Sequence, residues 1–291
     1  MFKPQGIIPA MVTPMTADEK INEQELRSQV NRMIGAGVHG LFCLGTNGEF
    51  YALSLEEKIE VIKIVTDENK GRLPVYAGTG CITSQDTIYL SRQAKELGVD
   101  ALSIITPYFV AVSQEEIYSH YKEIAEAVDL PIILYNIPMR TGNNIDYSTL
   151  KRLAGIENIV GIKDSSGNFD NMLRYIEETD GSIAVLSGND SLILSGLMAG
   201  GTGGISGIAN LFPETLVKIY ELWKQGDIAG ARAAQTSLRP IRDTLKLGNP
   251  NSVVKRAMNL LGYQVGPARR PASVFSNQAD ETILKALAYY K

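Results

Sequence analysis

Asn158-Ile-Val-Gly-Ile-Lys-Asp-Ser165 is an apolar run that ends on a cation. Its core, Ile159 to Ile162, is apolar throughout and never alternates with polar residues, the pattern of a strand buried on both faces. Strands of that kind belong to parallel sheets covered by helices. Lys163 stands at the exit of the run. A cation there either reaches solvent or sheds its charge, and an uncharged amine is a nucleophile that condenses with ketones.

Outward from this segment the same kind of run recurs, so that eight stretches qualify: Ile7–Thr13, Gly40–Leu44, Leu73–Ala77, Ala101–Ile105, Pro131–Tyr135, Ile159–Ile162, Ile183–Leu186 and Gly203–Ser206. Helix-patterned segments lie between them. Ser54-Leu-Glu-Glu57 and Ser113-Gln-Glu-Glu116 have capping-box spacing, and Gly35 and Gly98 supply the residue favoured at helix carboxyl ends. Eight strand–helix units close into a (β/α)8 TIM barrel, an α/β fold. A doubly wound open sheet would need a phosphate-binding turn after its first strand. Gly78-Thr-Gly80 and Gly201-Thr-Gly203 begin like such a turn but carry Thr83 and Ser206 where its last small residue belongs. Past about residue 210 the pattern is wholly helical: Pro213–Gln225, Asp227–Lys246, Ser252–Leu261 and Asp280–Tyr290. The expectation is a catalytic barrel over 1–225 and a C-terminal helical extension, 226–291, packed on it without a linker.

Several function classes fall away on composition. A net charge of −4 with no basic run offers no footprint for a phosphate backbone, so nucleic acid is not an expected partner. No stretch reaches the roughly 18 apolar residues of a membrane span, and Met1-Phe-Lys-Pro-Gln-Gly6 has no signal-peptide character. The expectation is a cytoplasmic protein with no membrane partner. Cys43 and Cys81 have no CxxC companion and read as small core residues. His39 and His120 are the only histidines and fall on the helix side of the pattern, so no metal site is expected.

In barrels the chemistry sits where strands end. The runs here end on Thr13, on Gly45-Thr-Asn-Gly-Glu49, on Thr106-Pro-Tyr108, on Tyr135-Asn136 with Arg140 beyond, on Lys163-Asp164 and on Ser187-Gly-Asn-Asp190. Free lysine titrates near about 10.4, so Schiff-base chemistry on Lys163 requires burial or a nearby cation. Tyr135, on the neighbouring run, would face the same space, where a phenol can ferry protons. Gly45, Thr46 and Asn47 supply glycine freedom, a hydroxyl, an amide and consecutive backbone donors, a composition suited to a carboxylate. Arg140 could clamp a second carboxylate bidentately.

These motifs, in this order, resemble the family of Schiff-base pyruvate enzymes that includes dihydrodipicolinate synthase and N-acetylneuraminate lyase. The resemblance is carried by Gly6-Ile-Ile-Pro-Ala-Met-Val-Thr-Pro14, Gly45-Thr-Asn-Gly-Glu49, Thr106-Pro-Tyr108, Tyr135-Asn-Ile-Pro138, Gly161-Ile-Lys-Asp164 and Gly200-Gly-Thr-Gly-Gly-Ile-Ser206. It implies that Lys163 forms an imine with pyruvate or a related 2-oxo acid, that Tyr135 relays protons, and that Thr46 and Asn47 hold the carboxylate. Ile205 would line the pocket beside the imine, and no cofactor is implied, because the lysine supplies the electron sink. The partners implied are the 2-oxo acid and an aldehyde. Arg140 resembles the arginine with which the synthase grips aspartate semialdehyde. Two departures pull the other way: Asn47 replaces the family's second threonine, and Thr106-Pro-Tyr108-Phe109 puts a phenyl where the synthase's relay has a second phenol. Phenylalanine passes no proton. The nominal activity that the resemblance implies is that of a 4-hydroxy-tetrahydrodipicolinate synthase; the alternatives are an aldolase of a 2-keto-3-deoxy sugar acid or N-acetylneuraminate, and a barrel that only senses a 2-oxo acid. Relatives are usually homotetramers, with the residue at position 109 crossing a subunit boundary. Phe50, Tyr51, Lys58 and Ile82 differ from the residues that build the lysine-feedback site of regulated synthases, so free lysine is expected not to inhibit; a micromolar inhibition constant in steady-state assays would contradict this.

Overall fold

Each apolar run becomes a short strand because both of its faces have somewhere dry to go. In a computed structural model describing residues 2–272 and 276–290, eight strands form: β1 (Gly6–Pro9), β2 (Leu41–Cys43), β3 (Val75–Gly78), β4 (Ala101–Ile105), β5 (Ile132–Asn136), β6 (Ile159–Asp164), β7 (Ala184–Ser187) and β8 (Gly203–Ser206). Met1 of the amino-terminal stretch, and residues 273–275 and Lys291 of the expected C-terminal extension, lie outside the described residues. One face of the strands fills the centre with Ile8, Phe42, Tyr76, Ile133, Leu186 and Ile205. The other packs Leu41, Val75, Ile104, Leu134 and Val185 against the helices.

The strands are parallel in the order β1-β8-β7-β6-β5-β4-β3-β2. A bridge between Ala10 and Phe42, with Met11 N donating to Phe42 O at 2.9 Å, joins β1 to β2 and brings the ring round. Eight parallel strands with helices between them make the (β/α)8 barrel expected. Among the described residues, no helix is long and apolar enough to cross a membrane.

One irregularity positions the later chemistry. Ile132 pairs with Ile159, but Ile133 pairs with Gly161, leaving Val160 as an extra residue in β6. Val160 joins the central cluster, and Ile162 joins the outer one. The insertion shifts the inward–outward phase by one residue. Lys163 thereby takes the face of its register partner Tyr135.

Local rules account for most boundaries. Both capping boxes form: Ser54 accepts from Glu57 N, Ser113 accepts from Glu116 N, and each glutamate bonds back to its cap. Gly98 takes the left-handed conformation (φ 80°), but in the first helix that role falls to Gly37 (φ 76°), and Gly35 is the last helical residue. β1 stops at Pro9 rather than Thr13, and Val12 N turns to the side chain of Asn210 instead of a strand. The long helix expected over Asp227–Lys246 is divided into Ile228–Ser237 and Arg239–Thr244, because Pro240 has no N–H to continue the ladder. The C-terminal helices Pro250–Leu260 and Asn277–Ala288 share one apolar cluster with the barrel helix Pro213–Lys224, through Val253, Met258, Ile283, Leu216 and Ile219.

His120, on the helix Gln114–Ala127, is 6 % exposed; its Nδ1 lies 2.8 Å from Ser84 Oγ and its Nε2 has no hydrogen-bond partner among the described residues. Burial lowers its pKa from 6.5 to about 4. Below the ordinary value the unfolded chain binds a proton that the folded chain refuses, so stability is expected to fall as pH drops from 6.5 to about 4. Denaturant midpoints across that window should flatten in His120→Gln; an unaltered acid slope would remove His120 as its source.

Candidate active site

β5 and β6 run side by side with Tyr135 opposite Lys163, and both side chains are 3 % exposed. Lys163 Nζ lies 4.0 Å from the centre of the Tyr135 ring and 5.2 Å from that of Phe42. No carboxylate among the described residues forms an ion pair with it. Its neighbour Asp164 is already occupied, accepting from Asn136 Nδ2 at 3.0 Å, Ser166 N at 3.1 Å and Ser166 Oγ at 2.8 Å. The amine therefore rests on two aromatic faces inside the ring of strands.

Thr46 completes the row, its Oγ1 standing 3.0 Å from the Tyr135 hydroxyl. It belongs to the tight loop after β2, whose flanks Leu44 (φ 59°) and Glu49 (φ 57°) both adopt left-handed backbone. That conformation costs a non-glycine residue roughly 1–2 kcal/mol, so something outside the loop must hold it. Gly45 is required for contact: a Cβ there would sit 2.7 Å from the Phe42 ring. Across the mouth, the amide of Asn47 lies against Gly207, where an added Cβ would come within 2.8 Å of Nδ2. Ile205 is in the central cluster, 1 % exposed. Gly188, after β7, is required first by Ser165, whose Oγ a Cβ there would strike; the same Cβ would be 3.0 Å from Lys163 Cε.

Above this row opens a cavity of about 210 Å³ walled by Thr46, Phe50, Tyr51, Ile105, Tyr108, Arg140, Thr141, Asn249 and Asn251. Tyr108 meets Phe50 edge-on at 5.8 Å between ring centres, and burial pushes its phenol pKa up. Arg140 is exposed on the short helix Pro138–Thr141 and has no ion-pair partner among the described residues. Phe109 stands apart. It is 93 % exposed, takes left-handed backbone (φ 77°) and does not line this cavity. A wider groove of about 900 Å³ at the opposite end of the strands, walled by Phe2, Lys95, Asp129 and Asn158, is open and contains no comparable row of groups. Among the described residues no three His, Cys, Asp or Glu side chains gather as metal ligands.

The structure thus brings Lys163, Tyr135, Thr46, Gly45, Asn47 and Ile205 together at the strand ends, with Arg140 and Tyr108 around the adjoining cavity. Sequence reasoning missed Phe42, Gly188, Tyr51, Asn249 and Asn251. Phe42 carried no signal beyond its place in an apolar run, and Asn249 and Asn251 stand just ahead of the helix expected from Ser252, in a region taken as an extension.

A buried amine, phenol and hydroxyl at the carboxyl end of a (β/α)8 barrel define a site for carbonyl chemistry. The family model of the dihydrodipicolinate synthetase family matches residues 3–289, and the chain belongs to that family. A 4-hydroxy-tetrahydrodipicolinate synthase of Methanopyrus kandleri is 42% identical over 288 residues, 98% of this chain and 96% of that protein. The enzyme of the same name from Moorella thermoacetica is 40% identical over 281 residues, covering 97% of this chain and 96% of its own. Among solved structures, the chloride-inhibited dihydrodipicolinate synthase of Acinetobacter baumannii, in complex with pyruvate, superposes with a TM-score of 0.94 at 36% identity, covering 98% of both chains.

If the phenol moves protons, Tyr135→Phe should lower kcat by about 10²-fold or more while leaving the fold intact. Thr46→Val, isosteric but without a hydroxyl, should lower kcat less. Wild-type turnover in Tyr135→Phe, measured in steady state, would exclude the phenol from proton transfer.

Proposed function

We propose that the chain is a lysine Schiff-base lyase that joins pyruvate to a carboxylate-bearing aldehyde, acting as a 4-hydroxy-tetrahydrodipicolinate synthase on aspartate semialdehyde. The observation that carries this reading is the row Lys163–Tyr135–Thr46, with its 3.0 Å hydroxyl contact, beneath a cavity that holds an arginine with no ion-pair partner among the described residues. The amine of Lys163 adds to the pyruvate carbonyl, the resulting carbinolamine loses water, and Tyr135 carries the proton between nitrogen and departing oxygen. Loss of a proton from the methyl carbon then gives an enamine, whose carbon attacks the aldehyde. Asn47, whose amide has no side-chain hydrogen bond among the described residues, and the backbone donors of the Gly45–Glu49 loop take the pyruvate carboxylate. Arg140 takes the carboxylate of the aldehyde, a bidentate pairing that a lysine or a neutral residue would not reproduce.

Phe109 favours a second reading, cleavage of a 2-keto-3-deoxy sugar acid, because a phenyl at that place removes one hydroxyl from the synthase pattern. The same residue supports assembly with further copies of the chain, a homotetramer by family resemblance: a ring 93 % exposed on left-handed backbone is one that an adjoining subunit would cover.

Borohydride reduction in the presence of pyruvate, read by intact and peptide mass, should place one adduct on Lys163. Arg140→Leu should then raise KM for aspartate semialdehyde about 10- to 100-fold, the value of a charged hydrogen-bond pair, with adduct formation unchanged. No adduct despite pyruvate binding would identify a sensor, and an unaltered KM would refute the arginine clamp.

A further inference from the structure

The loop that carries Thr46 is gripped from outside the barrel. Within the loop, Gly48 N bonds to Gly45 O at 3.0 Å and Glu49 N to Thr46 O at 3.1 Å. Thr13 Oγ1 donates to Gly48 O at 2.7 Å, and further support comes from the C-terminal region. At the loop's far end, Glu49 Oε1 pairs with Lys255 Nζ at 2.8 Å, both side chains being 1 % exposed, and Glu49 Oε2 accepts from Arg269 N at 2.8 Å. Lys255 Nζ also donates to Thr13 O at 2.9 Å, and Arg269 Nη1 to Ala52 O at 2.7 Å. These bonds anchor the end of the loop and touch no reacting group.

Asn251 is placed differently. From the first turn of the helix Pro250–Leu260, and only 4 % exposed, its Nδ2 donates to the carbonyl of Thr46 itself at 2.7 Å. The same nitrogen reaches the hydroxyl of Tyr51 at 3.2 Å, and Asn251 lines the cavity in which the aldehyde is proposed to sit. The Thr46 hydroxyl must meet Tyr135 from a loop flanked by two left-handed residues. A relaxation of about 1 Å would break that contact, and misplacements of this size are enough to cost orders of magnitude in rate.

We propose that Asn251 is a positioning residue for the reaction: it acts through Thr46, holding its backbone so that the hydroxyl stays on Tyr135, and so makes the C-terminal helices part of the active site. The inference rests on the proposed function of the Lys163–Tyr135–Thr46 row. A neighbour acting through Thr46 has nothing left to act on once the hydroxyl is gone, whereas a residue that merely supports the fold continues to matter.

A double-mutant cycle in the full-length chain separates the two. Asn251→Asp keeps the side chain's shape and removes the donor; Asn251→Leu removes the donor without adding charge. Each should lower kcat about tenfold while KM for pyruvate stays within about twofold, because the interaction lost acts on the chemical step. The thermal midpoint of Asn251→Leu should stay near that of the wild type, whereas Asn251→Asp, which buries a carboxylate against the Thr46 carbonyl, should lower it. In a Thr46→Val background the same substitutions should produce little further loss. Wild-type kcat in both variants, losses that multiply in the Thr46→Val background, or lower thermal midpoints with a matching rise in KM would each overturn the role of Asn251. Borohydride trapping is read first on the wild type: failure to trap pyruvate overturns the functional reading and this inference with it, whereas trapping with multiplicative losses overturns this inference alone.

Discussion

The position of Lys163 depends on a single extra residue in β6. Side chains alternate across a strand, so the face a residue takes is set by its phase relative to its neighbours. Val160 interrupts that phase where Ile133 skips to pair with Gly161, and Lys163 ends opposite Tyr135, over the Phe42 ring, rather than among the helices. Regular alternation from Val160 would have carried Ile162 and Asp164 inward. Asp164 instead makes the hydrogen bonds to Asn136 and Ser166 that brace the turn leaving β6.

Around that fixed amine the site is built by close approach as much as by polar groups. Gly45, Gly188 and Gly207 each stand where a methyl group would strike Phe42, Ser165 or Asn47, respectively. The Thr46 loop stores left-handed strain at both flanks, and the buried Glu49–Lys255 pair opposes it from the C-terminal helix. Such a pair contributes little net stability compared with an apolar substitute, yet losing one partner strands a charge in the interior. Its value here is in fixing where the loop ends. Asn249, the cap of the same helix, and Asn251, in its first turn, line the cavity wall.

Much of the barrel was legible from local pattern. Apolar runs too uniform for half-exposed strands, alternating with capped helical segments, require a covered parallel sheet, and both capping boxes formed where serine and glutamate stood three residues apart. Errors fell where a single residue decides an end: Val12 N left the strand direction of β1 for the Asn210 side chain, Pro240 divided a helix, and Gly37 rather than Gly35 took the left-handed turn. Lys163, Tyr135 and Thr46 could be singled out because each carries reactive chemistry at the end of an apolar run. Asn251 could not, since an asparagine at a helix start looks the same whether or not its amide reaches a carbonyl 205 positions away.

The chain by itself therefore determined the eight strands, the helical character of the segments between and after them, and which chemistry-bearing groups lie at strand ends, because burial periodicity, caps and reactive side chains are properties of neighbours along the backbone. Only the tertiary structure decided that Lys163 faces Tyr135, that Phe42 lies beneath the amine and that the helix Pro250–Leu260 holds the Thr46 loop. Those outcomes depend on a pairing register and on contacts between distant segments, and neither exists until the ring of strands has closed.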